Sequence, residues 1–363
     1  MEKKAVTRKD IALRADTSVS VVSRALNNSG YVAREKKERI LKIAEELNYA
    51  PNPVAISLQS RRVRQILFYC KNIDNVFNIQ LYKGMLDVAM ARGYMVLFNG
   101  RIAFDEIRNT LVDGIIMQDE SMGRFYLEHE GKNYHLPVVS PSYGEPFQAG
   151  HAMPVVEIDT YLVMETALEY LWSRGHRKIA AGMPYPYESP NARGAAYRAW
   201  MREKGMRDTR RYFIAVSRQD PRLEGDGRVL DFPEETETNP YAVSEDYFGK
   251  GMLAARLYAE RGLDATAVIG FNDDFALGML RGFAEMGIRV PEDVSVMGID
   301  GSDSRKYVSP MLTTISLEPR SQGAKCATVL LDMIEGKKYK YVNRAGFRLL
   351  EGQSVRNVSC VVT

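Results

Sequence analysis

Apolar residues recur every three or four positions in three short stretches near the start of the chain. This spacing predicts three helices, each with one buried side, over about residues 8–15, 18–27 and 34–47. Thr7 and Ser18 are suitable N-caps for the first two helices. Only a short break separates these two, and a turn-forming cluster of asparagine, serine and glycine follows the second. Three short helices arranged in this way fit a helix-turn-helix unit.

The polar side of the second helix is the first place where we expect chemistry. In a helix-turn-helix unit the N-terminal part of the second helix enters the DNA major groove, which would bring Val19 and Ser20 to the base edges. Val19 suits a thymine methyl group, and Arg24 can grip a guanine edge or a phosphate. The alternative is a bare three-helix bundle whose serine and arginine side chains are simply solvated.

Beyond the first 64 residues, short apolar runs alternate with amphipathic helices. A first series extends from a buried strand at 66–70 to one at 137–139, and a second from a helix near Tyr161 to a strand at 294–298. Strands and helices in alternation predict a doubly wound parallel sheet. Two such sheets with a cleft between them predict a clamp around a small molecule.

Length and charge sharpen this division of the chain. The chain of 363 residues is long enough for two or three domains. Residues 1–64 hold 14 lysines and arginines against 7 acidic residues, a balance of +7, whereas the rest of the chain carries −4. A basic head on a mildly acidic body indicates a polyanionic partner for the head alone. The alternative for this charge pattern is a solvated surface of mixed charge.

Several classes of protein are disfavoured by features that the sequence lacks. No apolar run approaches the roughly 20 residues that span a bilayer, and no signal-peptide core follows the charged start, so we expect a cytoplasmic protein. The cysteines are far apart without a CxxC pair and are expected to be inert thiols: Cys70, Cys326 and Cys360. No GxGxxG follows the first strand, and no Walker or GxSxG motif occurs. The histidines form no metal-spaced cluster: His129, His135, His151 and His176. We therefore expect neither an enzyme nor a cofactor.

Residues 7–58 closely resemble the DNA-binding headpiece of the LacI/GalR family of bacterial transcription regulators. The segments SVVSRALNNSGYV and NYAPNPVAISL carry the resemblance and are highly specific to that family. Asp16 stands in the turn where the family usually has glycine. Aspartate tolerates a left-handed backbone better than most residues, so we expect the turn to be kept; a slightly altered helix angle is the alternative.

The resemblance implies DNA contacts both in the headpiece and in the segment that follows it. Residues 52–64 are expected to form a hinge helix and linker that folds on the operator, pairs with the dimer mate and wedges Leu58 into the minor groove. Without the resemblance, Leu58 reads as a core residue. The implied DNA-binding residues are Thr7, Ser18, Val19, Ser20, Ser23, Arg24, Asn27, Tyr31, Asn52, Val54, Ala55 and Leu58.

The rest of the chain, residues 65–363, resembles the effector-binding and dimerisation body of the same family. GHRKIA at 175–180 and FNDD at 271–274 are among the segments that carry this resemblance. The implied fold class is an all-α helix-turn-helix headpiece, residues 1–51, followed by an α/β periplasmic-binding-protein-like body. That body has two doubly wound parallel-sheet subdomains, joined by three crossings of the chain.

The resemblance also sets the expected boundaries of the two subdomains. They are about 65–160 plus 319–338, and about 161–318 plus 339–356. The segment between residues 99 and 113 is short, so one helix of the first subdomain is expected to be reduced. Residues 218–242 look like an inserted surface loop rather than a site.

Effector contacts are expected at the C-terminal ends of the strands, where an open α/β sheet exposes its pocket. The resemblance maps them onto Phe77, Ser142, Tyr185, Arg193, Asn272 and Asp300. Arg193 offers a fork of donors, and an ionised Asp300 accepts hydrogen bonds, so the pair favours a polar effector. The alternatives are a surface salt bridge for Arg193 and plain core packing for Phe77. Leu317 and Gly301 depart from residues frequent in the family and put its usual effectors in doubt.

The function implied by the resemblance is sequence-specific transcriptional regulation, most commonly repression. A homodimer would bind a pseudo-palindromic operator through two headpieces, and a small polar effector in the cleft, a sugar or sugar derivative, would change their spacing. The alternatives are a nucleobase or a protein corepressor as the signal, or a solute-binding protein or enzyme on the same α/β fold. The basic headpiece and the missing signal peptide oppose a transport protein.

Overall fold

The computed structural model describes residues 6–50, 62–70, 75–99, 104–129, 131, 136–144, 150–216 and 246–358. The chain divides into two compact units, Met1–Val63 and Arg64–Thr363, which we call the headpiece and the body. Within the described ranges, no helix is long and apolar enough to cross a membrane. The following predicted features lie outside the described residues: Asn52, Val54, Ala55, Leu58 and the loop at 218–242.

The described headpiece consists of three short helices around one apolar core. They are α1 (Arg8–Arg14), α2 (Val19–Leu26) and α3 (Arg34–Glu46). One residue from each helix is almost completely buried in the core: Ile11, Val22 and Ile40. Each helix turns its apolar side toward the other two. The apolar residues therefore recur at helical spacing, and this spacing is what predicted the helices from the sequence.

The turn between α1 and α2 depends on a left-handed residue. Asp16 has a φ of 48°, a conformation that aspartate adopts more readily than most residues. The backbone N–H of Thr17 donates to the carbonyl oxygen of Ala12 at 3.0 Å, which closes the C-terminal end of α1. The expectation that Asp16 preserves the turn is therefore confirmed.

The body contains two six-stranded sheets. In chain order the strands are β1 (Gln65–Tyr69), β2 (Met95–Asn99), β3 (Gly114–Met117), β4 (Val138–Ser142), β5 (Val155–Glu157), β6 (Ile179–Met183), β7 (Phe213–Ala215), β8 (Ala267–Gly270), β9 (Ser295–Asp300), β10 (Thr313–Ser316), β11 (Val342–Arg344) and β12 (Arg348–Leu350). The first sheet has the order β11-β5-β4-β3-β1-β2, with every pair parallel. The second has the order β12-β10-β9-β8-β6-β7 and is parallel except for the edge pair of β10 and β12. The predicted pair of doubly wound sheets is confirmed.

Helices pack against both sheets. In chain order those of the body are α4 (Val76–Ala91), α5 (Glu120–His129), α6 (Thr160–Ser173), α7 (Ala192–Glu203), α8 (Tyr247–Glu260), α9 (Asp273–Glu285) and α10 (Pro319–Glu335). In the first subdomain α4 and α10 approach so closely that a methyl group at Gly84 would lie 1.9 Å from the Arg320 carbonyl oxygen. This contact requires glycine, because any side chain would hold the two backbones apart. In the segment predicted as a reduced helix, the described residues form a 3-10 helix at Phe104–Asn109.

The chain passes between the two subdomains at three places. β5 leads into α6, β10 leads into α10, and β11 leads into β12. Two ion pairs connect these crossing segments: Glu157 Oε1 lies 3.4 Å from Arg344 Nε, and Glu318 Oε1 lies 2.6 Å from Arg348 Nε. The predicted second subdomain included residues 339–356 and was wrong for β11, which pairs with β5 in the first sheet, whereas β12 pairs with β10 in the second sheet as predicted. The short and mostly exposed β11 has no apolar pattern that would indicate its sheet.

His176, which belongs to the GHRKIA segment, is a buried structural residue just before β6. One ring nitrogen lies 2.8 Å from Thr266 Oγ1, and the other lies 3.2 Å from the carbonyl oxygen of Arg356. Burial lowers the pKa of His176 to about 4, because the charged imidazolium would lose its solvation. Cys70 and Cys326 are buried cysteines without a disulfide bond, and burial raises the pKa of Cys326, which suits an inert role.

Candidate functional site

The two sides of α2 differ in exposure. Val22 is completely buried in the headpiece core, whereas Val19 is 40% exposed and Ser20 and Arg24 are exposed. Ser18 begins the helix by accepting a hydrogen bond at 3.4 Å from a backbone N–H three residues further on. This cap determines which side chains stand at the N-terminal end of α2.

Hydrogen bonds connect several of the predicted DNA-binding residues. Ser18 Oγ lies 2.8 Å from Ser20 Oγ, and Arg24 Nε donates to the Ser20 carbonyl oxygen at 3.4 Å. The side-chain amide of Asn27 donates to Ser23 Oγ at 3.4 Å. The other two predicted contacts of the described headpiece are exposed: Thr7 and Tyr31. Contact of these residues with DNA stays a prediction.

A cavity of about 370 Å³ lies between the two sheets of the body. It opens at the carboxyl ends of the strands, beside the places where the strand order reverses, between β1 and β3 and between β6 and β8. Its lining residues are Asn75, Phe77, Asn78, Gln118, Asp119, Ser121, Tyr143, Asn191, Arg193, Tyr247, Phe271, Asn272 and Asp300. The volume falls within the usual range of small-molecule sites.

Arg193 and Asp300 form a largely buried, hydrogen-bonded pair in this cavity. Arg193 Nη2 lies 3.4 Å from Asp300 Oδ1, and the two side chains are only 11% and 13% exposed. Arg193 Nη1 donates to the carbonyl oxygen of Phe271, and the guanidinium carbon lies 4.6 Å from the centre of the Phe271 ring. These contacts fix the guanidinium plane, so its remaining N–H groups are presented in a set orientation.

Asp300 combines backbone strain with an altered pKa. Its φ of 137° lies in a region that favours glycine. Burial raises the pKa of Asp300 to about 8, and the Arg193 guanidinium opposes that rise. Burial also raises the pKa of Asp273 to about 6, although Asp273 accepts hydrogen bonds from Thr314 Oγ1 at 2.5 Å and from the Ser302 N–H at 2.6 Å. Strain and a shifted pKa at one lining residue are typical of a binding site.

Aromatic rings line the cavity on both sides. The first subdomain contributes Phe77 and Tyr143, whose ring centres are 5.8 Å apart, and the second contributes Tyr247 and Phe271 at 5.4 Å. The Tyr143 hydroxyl donates to the buried Gln322 side chain of α10 at 3.3 Å. Flat aromatic faces beside an Arg–Asp pair suit a ring-shaped ligand that carries polar groups on its edge.

Four of the six predicted effector residues line the cavity: Phe77, Arg193, Asn272 and Asp300. Asn272 also caps α9 by accepting a hydrogen bond from the Phe275 N–H at 2.9 Å. The other two predicted residues lie outside this lining, since Ser142 is buried in β4 and Tyr185 packs behind the lining; effector contact of all six residues stays a prediction. The Tyr185 hydroxyl donates to Asn191 Oδ1 at 2.6 Å, so it supports a lining residue.

The predicted effector set omitted most of the lining residues that carry polar groups, among them Asp119, Tyr143 and Tyr247. Asp119 follows β3 and Tyr143 follows β4. Because residues that follow the C-terminal ends of parallel strands lie at the crevice, both could have been predicted from the sequence. Tyr247 begins α8 and has no comparable signal in the sequence. In the part of the chain that the structure describes, no group of three or more His, Cys, Asp and Glu side chains is placed to hold a metal ion.

A helix-turn-helix headpiece in the same chain as a two-sheet body with a polar cleft defines the class of this protein: DNA-binding transcriptional regulators built on a binding-protein fold. Residues 7–52 match the bacterial regulatory proteins of the lacI family, and residues 168–355 match the periplasmic binding protein-like domain. The chain belongs to the lacI family of bacterial regulatory proteins. Its class is that of DNA-binding regulators and not of enzymes.

Similar proteins cover nearly the whole chain. The "HTH-type transcriptional repressor PurR" of Vibrio vulnificus (strain CMCP6) is 28% identical over 92% of this chain and 93% of its own length. The "HTH-type transcriptional repressor CytR" of Escherichia coli (strain K12) is 28% identical over 92% and 91%. A lac repressor dimer bound to operator and the anti-inducer ONPF has the same fold, with a TM-score of 0.75 and 22% identity over 97% of this chain and 100% of that one.

Proposed function

We propose that this regulator is a repressor that binds a pseudo-palindromic operator as a homodimer and responds to a small polar effector in the cleft of its body. The observation that carries the proposal is the presence of two distinct surfaces in one chain. One is the exposed polar side of α2, and the other is the cleft that contains the Arg193–Asp300 pair.

The headpiece supports operator recognition through its shape and its charge. Val19 and Ser20 stand exposed at the N-terminal end of α2, the part of a recognition helix that reaches base edges. Arg24, exposed one turn later, suits a guanine edge or a phosphate. The excess of +7 over residues 1–64 favours a polyanion and makes binding dependent on salt.

The cleft supports a polar ring as effector, and a sugar or sugar derivative is our first candidate. Arg193 supplies oriented donors, while Asp300 supplies an acceptor or, when protonated, a donor as well. Sugar hydroxyls donate and accept, so one ring can satisfy both residues. The rings of Phe77 and Phe271 offer apolar faces for the C–H side of such a ring.

A nucleobase is the second candidate, and the aromatic lining is the observation that favours it. A planar base can stack on Phe77, Tyr143, Tyr247 or Phe271, and its edge can hydrogen-bond to Asn272 or Asp300. A protein corepressor in place of a small molecule is our third candidate.

Two measurements on the purified full-length protein test the proposal. Selection from random duplex DNA should enrich two half-sites related by two-fold symmetry. A thermal-shift screen of sugars, sugar phosphates, nucleosides and nucleobases should find one class that stabilises the protein, by about 2.7 kcal/mol at a hundredfold excess over Kd. The same compound should change the affinity for the selected duplex, since a ligand shifts an equilibrium only through different affinity for two states.

Each failure has a distinct meaning. Selection without any sequence preference would remove operator recognition, whereas a hit that leaves DNA affinity unchanged would remove effector control. Chemical turnover of a hit would contradict a purely regulatory role. The insertion of Leu58 into the minor groove, which the family resemblance implies, is tested separately. Leu58→Ala should reduce the bend of the selected duplex, and an unchanged bend angle would contradict this insertion.

A further inference from the structure

Arg8 links α1 to α2 and to the segment that follows α3. It is the first residue of α1, and its side chain is half-buried. Its Nη1 donates to Ser23 Oγ on α2 at 3.2 Å, and its Nε donates to the Tyr49 hydroxyl, beyond the end of α3, at 3.2 Å. A guanidinium can serve both acceptors at once because its donors are held in a rigid planar fork, which lysine lacks.

The hydrogen bond from Arg8 limits the hydrogen bonds that the Ser23 hydroxyl can still form. A serine hydroxyl has two acceptor lone pairs and one hydrogen. Arg8 donates into the oxygen at 3.2 Å and the Asn27 side-chain amide donates into it at 3.4 Å, so both lone pairs are engaged. What Ser23 can offer a further partner is its hydrogen, and that partner must be an acceptor. Phosphate oxygens and the N7 and O6 atoms of guanine are acceptors of this kind.

We infer that Arg8 is a positioning residue for DNA recognition, which orients the Ser23 hydroxyl as a donor toward an acceptor on the DNA. The inference rests on the proposed function, because it takes the side of α2 that carries Ser23 to be the DNA-binding side. Arg8 acts through Ser23 and not by neutralising a phosphate itself.

A double-mutant cycle on the full-length protein tests this coupling. Arg8→Met, Ser23→Ala and the double variant are titrated by fluorescence anisotropy against the duplex that the wild-type protein selects from random DNA. We expect each single variant to bind about tenfold more weakly, and the double variant to be little weaker than either single one. The slope of log affinity against log salt should be the same for wild type and Arg8→Met, because no phosphate contact is lost.

Two further variants separate orientation from charge and from folding. Arg8→Lys keeps the positive charge but not the fork, so it should bind nearly as weakly as Arg8→Met while it melts closer to wild type. Arg14→Met is the matched control, since Arg14 lies on the same helix and pairs at 3.3 Å with Glu46 of α3, away from Ser23. Its affinity for the selected duplex should equal that of wild type.

Three results overturn the inference. The first is an additive cycle, in which Arg8→Met weakens binding by the same factor with and without the Ser23 hydroxyl. The second is an Arg8→Lys variant with wild-type affinity, and the third is a salt slope that falls by about one in Arg8→Met, the sign of a direct phosphate contact. If the wild-type protein selects no sequence at all, the proposed function falls together with the inference, and this outcome differs from an additive cycle on a selected duplex.

Discussion

Arg193 Nη2 lies 3.4 Å from Asp300 Oδ1 in the cleft of the body, and the two residues reach this contact from different elements, α7 and β9. Arg193 is also held by the carbonyl oxygen and the ring of Phe271. Removal of the Arg193 guanidinium and the Asp300 carboxyl from water is costly, and a ligand that hydrogen-bonds to both can restore part of the lost solvation. The pair is therefore the part of the cleft where ligand chemistry should matter most.

Arg193→Met should abolish the thermal shift caused by the effector and leave binding to the selected duplex intact. The lost charged hydrogen bonds should weaken effector binding by at least about 2 kcal/mol. Titration calorimetry with the compound found in the screen measures this loss. Arg202→Met is the control, because Arg202 lies on the same helix but is exposed and outside the lining. Equal effects of the two substitutions would contradict the role of Arg193.

Asp300→Asn should make the stability of the protein less dependent on pH. Burial raises the pKa of Asp300 from its ordinary value of 3.8 to about 8 in the folded protein. Between these values the folded state holds a proton that the unfolded state has lost, so the free energy of unfolding falls as pH rises through this window. Asparagine cannot titrate, and the substitution should remove up to about 1.4 kcal/mol of this fall per pH unit.

The measurement for Asp300→Asn is denaturant unfolding of both proteins between about pH 5 and about pH 8. Asp273, whose pKa burial raises to about 6, interacts electrostatically with Asp300, so the difference between the two proteins reports on Asp300 together with the change in Asp273 that the substitution causes. Parallel stability curves across the whole window would show that Asp300 is ionised in the folded state and that the raised pKa is incorrect.

Arg24→Ala should weaken specific DNA binding more than non-specific binding. A residue that reads a base edge contributes about 1 to 3 kcal/mol to discrimination, and a residue that contacts only phosphate weakens both kinds of binding alike. Competition between the selected duplex and random DNA measures the ratio. Arg34→Ala serves as the control, since Arg34 is exposed on α3 and pairs with Glu38 at 2.9 Å. An unchanged ratio for Arg24→Ala would exclude base reading by this residue.

Gly84→Ala should destabilise the body by about 1 to 3 kcal/mol, the usual cost of an overpacked contact. The added methyl group would lie 1.9 Å from the Arg320 carbonyl oxygen and would force α4 and α10 apart. Thermal unfolding compares this variant with Gly346→Ala, where an added methyl group meets no heavy atom within 4 Å. Similar melting temperatures for the two variants would contradict the close approach of the helices.

The headpiece could be predicted well from the sequence because its signals are local. The apolar residues of α1, α2 and α3 repeat at helical spacing, and Thr7 and Ser18 mark where the first two helices begin. The turn at Asp16 was predictable as well, since its left-handed backbone depends on a single residue. Neither prediction requires knowledge of residues distant in the chain.

The cleft was predicted only in part, because its lining depends on which strand ends become neighbours. Phe77, Arg193, Asn272 and Asp300 followed from the resemblance to a family, while Asp119 and Tyr143 were missed. Ser142, the last residue of β4, was predicted instead of Tyr143, which follows the strand and lines the cavity. A shift of one position therefore moved the predicted side chain out of the cleft.

The sequence by itself determined the class of the protein, the helices of the headpiece and the alternation of strands and helices in the body. Only the tertiary structure decided that β11 joins the first sheet, that burial raises the pKa of Asp300, and that Arg8 reaches Ser23 and Tyr49. The physical reason is that periodicity and capping act within a few residues, whereas strand pairing, desolvation and side-chain hydrogen bonds join residues far apart in the chain.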